Sequence, residues 1–216
     1  MDTLKAILDS GVIAIIRSDS DQGLLETARA LAAGGVRALE VTMTTPGALD
    51  AIRAISRQSN DQFVLGAGTV LDAESARLAI LAGAEFIVSP GFDLGAVQTA
   101  KSYGKVVCPG ALTPTEVIAA WSAGADLVKI FPASVGGPDY IKAIRAPLPQ
   151  VRLLPTGGVD VANAGEYIRA GAAAVAMGGS LVNAKAIAQG QWDRITQTAR
   201  QALAAVVDAR TAMART

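Results

Sequence analysis

The chain has 216 residues, 51% of them apolar and 4% aromatic, with 19 Lys plus Arg balanced by 19 Asp plus Glu. A formal net charge of zero argues against an electrostatic surface for nucleic acid or membrane, and the longest apolar runs, such as residues 12–16, are far too short to span a bilayer. Cys108 is the only cysteine and histidine is absent, so an intrachain disulfide, a Ser-His-Asp triad and the commonest metal ligand are all excluded.

In chain order, residues 2–10 read as an amphipathic helix ended by Gly11. Strand-like runs follow at 12–16, 36–41, 63–66, 86–88, 106–108, 127–130, 151–154 and 174–177. They carry apolar residues on both parities, as strands buried on both faces should. Helical patterns lie between them, for example at 23–33, 46–57, 73–82, 115–123 and 161–170. A weak repeat joins helix end to strand start: Ala33-Gly34-Gly35, Ala82-Gly83-Ala84, Ala123-Gly124-Ala125 and Ala170-Gly171-Ala172. Glycine there is expected as a left-handed C-cap. Asp72, Thr113-Pro114 and Asp160 mark helix starts. The tail, 191–209, reads as a last helix packed outside.

Eight strand–helix units predict an α/β fold, a closed (β/α)8 TIM barrel with an extra helix at each end. A doubly wound sheet is the alternative, but no G-x-G-x-x-G follows the first strand. No linker or low-complexity stretch interrupts the chain, so 1–216 is expected to be one domain. No signal-peptide pattern opens it, and cytoplasmic localisation is expected.

In such a barrel the site lies where the strands end. Lys129 stands there, in the apolar run Leu127-Val128-Lys129-Ile130-Phe131-Pro132. Desolvation lowers a lysine's pKa, and free amine attacks ketones to form an imine. The plainer reading is a packed stem whose ammonium reaches solvent or pairs with a carboxylate. Glu40 ends the second strand and is the candidate acid/base of a histidine-free site, or else an ion-pair partner of Arg17 or Lys129. Arg17 ends the first strand and can fork onto a carboxylate or phosphate, although on its own it reads as a solvated strand-end charge.

Two late loops, Thr156-Gly157-Gly158-Val159 and Gly178-Gly179-Ser180, lack bulk and let backbone N–H groups approach an anion. Phosphate commonly binds after strands seven and eight of a barrel, with a helix N-terminus adding its dipole. Ordinary glycine turns are the plain alternative. Thr69 either contacts a substrate carboxylate or caps the next helix. Cys108 reads as a small core residue.

Together the residues resemble the class I aldolases for 2-keto-3-deoxy-6-phosphogluconate, 2-keto-3-deoxy-6-phosphogalactonate and 4-hydroxy-2-oxoglutarate. The resemblance spans about 11–182 and rests on Gly35-Val36-Arg37-Ala38-Leu39-Glu40-Val41-Thr42, Gly66-Ala67-Gly68-Thr69-Val70, Val88-Ser89-Pro90-Gly91, Pro109-Gly110, Lys129-Ile130-Phe131-Pro132 and Pro155-Thr156-Gly157-Gly158-Val159. It implies a Schiff base on Lys129 and acid/base work by Glu40. It implies a pyruvate pocket of Thr69, Pro90 and Phe131, and a phosphate end of Thr156, Gly157, Gly158, Gly179 and Ser180. It also implies a homotrimer and no cofactor or metal. One position departs: many phosphogluconate-cleaving members carry Arg four residues after the glutamate, where this chain has Thr44. Arg17 is expected to make the carboxylate contact instead. Two rivals remain, a metal-free phosphosugar isomerase or synthase on the same barrel, and a non-catalytic sugar-phosphate binder.

Overall fold

Both parities of the strands carry apolar residues because both faces of the sheet are covered. The computed structural model describes residues 1–59 and 61–215. Among these residues nine parallel strands form two sheets. The larger contains β1 (Val12–Ile16), β2 (Ala38–Thr42), β3 (Val64–Gly68), β4 (Phe86–Val88), β5 (Val106–Cys108) and β9 (Val175–Met177), in the order β5-β4-β3-β2-β1-β9. The smaller runs β6 (Gly110–Ala111), β7 (Val128–Ile130), β8 (Leu153–Pro155). Pro109, which has no N–H to donate to a ladder, separates β5 from β6. The sequence predicts only the strand at 106–108, with Pro109-Gly110 beyond its end; β6 is an addition to it. At the other seam a parallel bridge pairs Thr156 with Ala176. The result is a curled parallel sheet, an α/β barrel-like fold.

The outer layer is α2 (Leu24–Ala33), α3 (Ala48–Ser56), α4 (Ala73–Ala82), α5 (Leu94–Ser102), α6 (Pro114–Ser122), α7 (Gly137–Arg145), α8 (Ala164–Arg169) and α9 (Ala184–Ala188). Outward residues such as Val12, Ala14 and Ile16 of β1 pack under these helices in one large cluster. Inward ones such as Ile13 and Ile15 meet Ala38, Val64, Phe86, Val88, Leu127 and Leu154 in a second cluster. Ala6 and Ile7 of α1 (Thr3–Ser10) belong to that inner cluster, so α1 plugs one end. Gly66 makes room inside: a Cβ there would lie 2.3 Å from the Phe86 ring.

Helix ends follow the expected chemistry in most places. Asp72 caps α4 by accepting from the Ser75 N–H, and Thr113 with Glu116 forms a full capping box on α6. Gly35, Gly83, Gly124 and Gly171 all have positive φ. Two details differ. Gly34 itself is right-handed, and the left-handed residue is Gly35. Asp160 does not start a long helix: a turn intervenes, and α8 begins only at Ala164 and runs six residues.

The tail is α10 (Trp192–Met213), longer than the sequence suggested, and it packs on α2 and α8. Arg210 near its end donates to the carbonyls of Leu8, Asp9 and Ala173 at 2.8, 2.8 and 3.0 Å. It thereby covers the carbonyls that α1 leaves unpaired at its end. Arg210→Ala is expected to cost about 2–3 kcal/mol and lower Tm by roughly 5 °C in a thermal melt. An unchanged melt would show that water replaces this clamp at no cost.

Candidate active site

Strand parity decides which side chains face inward. Ala38 and Leu127 lie in the inner cluster, so residues two further on, Glu40 and Lys129, point the same way. Glu40 pairs in register with Ile15 on one side and Gly66 on the other. Lys129 sits between Gly110 and Leu154. Both are buried, at 1% and 5% exposure, above the apolar inner cluster.

Glu40 fits only because Gly68 has no side chain. A Cβ on Gly68 would lie 1.7 Å from Glu40 Oε1. Among the described residues Glu40 Oε2 is the one buried side-chain polar atom without a hydrogen-bond partner. Burial pushes the Glu40 carboxyl above the ordinary carboxylate range, while the charges of Lys129 and Arg17 pull it back. Leaving such an atom unsatisfied costs free energy, so this oxygen is available to a water or substrate group that enters the cavity.

Lys129 takes part in no ion pair among the described residues. Its Nζ lies 5.0 Å from the centre of the Phe131 ring. Lys129 and Glu40 act on each other through charge without a salt bridge between them. Thr69 has φ +57°, a left-handed backbone that a β-branched residue adopts at a cost of order 1–3 kcal/mol. It caps nothing, because Asp72 caps α4. Cys108 is fully buried, and burial raises its thiol well above the usual range, so it serves packing.

One cavity of about 510 Å³ opens where the strands end. All eleven sequence-predicted residues line it: Arg17, Glu40, Thr69, Pro90, Lys129, Phe131, Thr156, Gly157, Gly158, Gly179 and Ser180. Val159 and Gly178 of the two glycine loops line it as well, and so do Ile15 and Asp160, which the sequence does not mark as site residues. Parity along β1 could have found Ile15. Asp160 had been read only as a helix start.

Thr44 does not line the cavity. Its hydroxyl donates to Thr42 Oγ1 at 3.2 Å, and Thr42 bonds Thr45 at 3.1 Å. Thr45 Oγ1 accepts from the Ser18 N–H at 3.4 Å, so this threonine chain leads back to the residue after Arg17. In the distal loops Gly157 and Gly158 have φ of +84° and +82°. Ser180 Oγ donates to the Val159 carbonyl at 2.8 Å and ties the two loops together. Thr156 Oγ1 donates to the Leu154 carbonyl. The side-chain protons at this end are thus already used. Among the described residues, no acceptor takes the backbone N–H groups of Gly158, Gly179 or Ser180. These, rather than a long helix end, are the donors available to an anion.

The profile described as "Aldolase: KDPG and KHG aldolase" matches residues 4–198. The KHG/KDPG aldolase of Escherichia coli (strain K12) is 40% identical over 202 residues, 92% of this chain and 94% of that protein. The 2-dehydro-3-deoxy-6-phosphogalactonate aldolase of the same organism is 37% identical over 196 residues, covering 90% and 92%. Among solved structures, KDPG aldolase from Legionella pneumophila, with pyruvate captured at low pH as a covalent carbinolamine intermediate, superposes with a TM-score of 0.84. Its identity is 31%, over 93% of this chain and 97% of that one. Family match and relatives agree along nearly the whole length: this chain belongs to the KDPG and KHG aldolase family.

Proposed function

We propose that this protein is a class I aldolase. It reversibly cleaves 2-keto-3-deoxy-6-phosphogluconate, or its galactonate epimer, to pyruvate and glyceraldehyde 3-phosphate, with 4-hydroxy-2-oxoglutarate as a further substrate. The observation that carries the reading is a buried lysine and a buried carboxyl in one cavity, the lysine without an ion pair and the carboxyl with one oxygen unpaired among the described residues.

Lys129 Nζ adds to the C2 ketone and gives a carbinolamine. Glu40 protonates the departing hydroxyl, water leaves, and a protonated imine remains. Glu40, acting directly or through a bound water, then takes the C4 hydroxyl proton. The C3–C4 pair flows into the iminium as the C4 aldehyde forms. The resulting enamine is protonated at C3, and water hydrolyses the pyruvate imine to regenerate the amine. The iminium is the electron sink, so the chemistry asks for no Lewis acid.

Arg17 and Thr69 hold the keto-acid carboxylate, and Pro90 and Phe131 wall its methyl side. Arg17→Ala is expected to raise the KM for the keto acid roughly 30-fold with a smaller change in kcat, the loss of a contact worth about 2 kcal/mol. Unchanged keto-acid binding would remove Arg17 from this role. Thr156, Gly157, Gly158, Gly179 and Ser180 form the phosphate end.

Around this site we infer one domain over 1–216, with β5 and β6 acting as the two halves of one strand in a closed (β/α)8 barrel. A cytoplasmic homotrimer completes the reading. Leu78 and Leu81 on α4 are more than half exposed, which suits burial against other copies. Among the described residues no helix is long and apolar enough to cross a membrane.

Borohydride reduction with pyruvate tests the central step. The expected result is one reduced pyruvyl group on Lys129, located by peptide mass spectrometry. An unmodified Lys129 under conditions where the protein is folded would rule out the covalent route.

A further inference from the structure

The distal end of the cavity offers backbone N–H groups and no cationic side chain. The two cations among the cavity-lining residues are Arg17 and Lys129, both assigned above to the keto-acid end. The charged residue beside the glycine loops is an acid, Asp160. Its Oδ1 accepts from the N–H groups of Ala162 and Asn163 at 2.9 and 3.0 Å. Among the described residues its Oδ2 accepts no hydrogen bond, and Asp160 forms no ion pair. Next to it, Ser180 has already given its proton to Val159, so toward the cavity it offers only lone pairs. This end therefore presents acceptors as well as the backbone N–H donors of Gly158, Gly179 and Ser180. A phosphate dianion brings acceptors and negative charge and meets repulsion from Asp160. A terminal hydroxyl brings one donor and one acceptor, and both find a match.

We propose that Asp160 is a specificity-determining residue that weakens the hold on a phosphate and admits the hydroxyl-terminated, unphosphorylated 2-keto-3-deoxy sugar acid as a substrate of the same site. The proposal rests on the aldolase reading above. The carboxylate accepts the terminal hydroxyl through Oδ2 and keeps its turn through Oδ1. Phosphorylated substrate still binds through the backbone N–H groups, but with less advantage than an uncharged or cationic wall would give it.

The test compares kcat/KM on the phosphorylated and unphosphorylated 2-keto-3-deoxy acids for the unmodified protein, Asp160→Ser and Asp160→Asn. Both replacements keep an oxygen that can cap the turn. Each is expected to raise the phosphorylated-to-unphosphorylated ratio about tenfold or more, because the repelling charge goes and the acceptor for the hydroxyl weakens. A ratio that stays within twofold in both variants, or two rates that fall together, overturns the proposal. Pyruvate trapping on Lys129 of the unmodified protein separates the two levels. No trapping there means the aldolase reading has failed; trapping with an unchanged ratio means that only the role of Asp160 has failed.

Discussion

Lys129→Arg is expected to reduce pyruvate formation by at least about a thousandfold and to abolish borohydride trapping with pyruvate. Arginine keeps the positive charge and much of the stem, so the change separates covalent chemistry from electrostatics. A guanidinium stays protonated at any working pH and offers no lone pair to a ketone. If Lys129 served only as a charge, as in an isomerase or synthase, the variant would retain much of its rate. The measurement is a lactate dehydrogenase-coupled assay at saturating substrate, with peptide mass spectrometry after reduction. Full turnover in the arginine variant would end the Schiff-base assignment.

Glu40→Gln is expected to lower kcat by about 10²–10⁴-fold while leaving pyruvate able to form the trapped adduct slowly. Glutamine fills the same space but cannot pick up or deliver a proton. The same change has a stability signature of known sign. Glu40 has a folded pKa above its unfolded value, mainly because it is buried. Its favourable contribution is complete below the unfolded pKa and is lost as pH rises through the folded one. Glutamine never ionises, so the variant is expected to gain Tm relative to the parent at pH 7 and to gain little at pH 4. A parallel loss of Tm at both values would mean that Glu40 supports the fold. Gly68→Ala offers a second route to the same point. Its Cβ would fall 1.7 Å from Glu40 Oε1, so the carboxyl must move. The expected outcome is a kcat loss comparable to Glu40→Gln with Lys129 still trappable.

Fold and site were legible to different degrees, for reasons visible in single residues. Doubly apolar strands announced a covered parallel sheet, and 12–16, 86–88 and 106–108 appear with their predicted limits. The break at Pro109 was harder, because β6 is two residues of Gly and Ala with no periodicity to detect. Lys129 and Glu40 were legible because a charge in an apolar strand needs a reason. The room for Glu40 was not, since it depends on a neighbouring strand's glycine, a pairing that sequence spacing does not reveal. Asp160 was seen but given a helix-start role, because Asp before a helix is the ordinary cap signal. Only its place on the cavity wall gave it a second meaning.

The Arg210 clamp joins residues 201 and 202 positions earlier in the chain. No other hydrogen bond from a side chain among the described residues spans so much sequence. During synthesis, therefore, the Leu8 and Asp9 carbonyls at the end of α1 lack this partner until α10 has left the ribosome. A ribosome-bound chain short of residue 210 is one in which α1 still lacks the cap that Arg210 supplies.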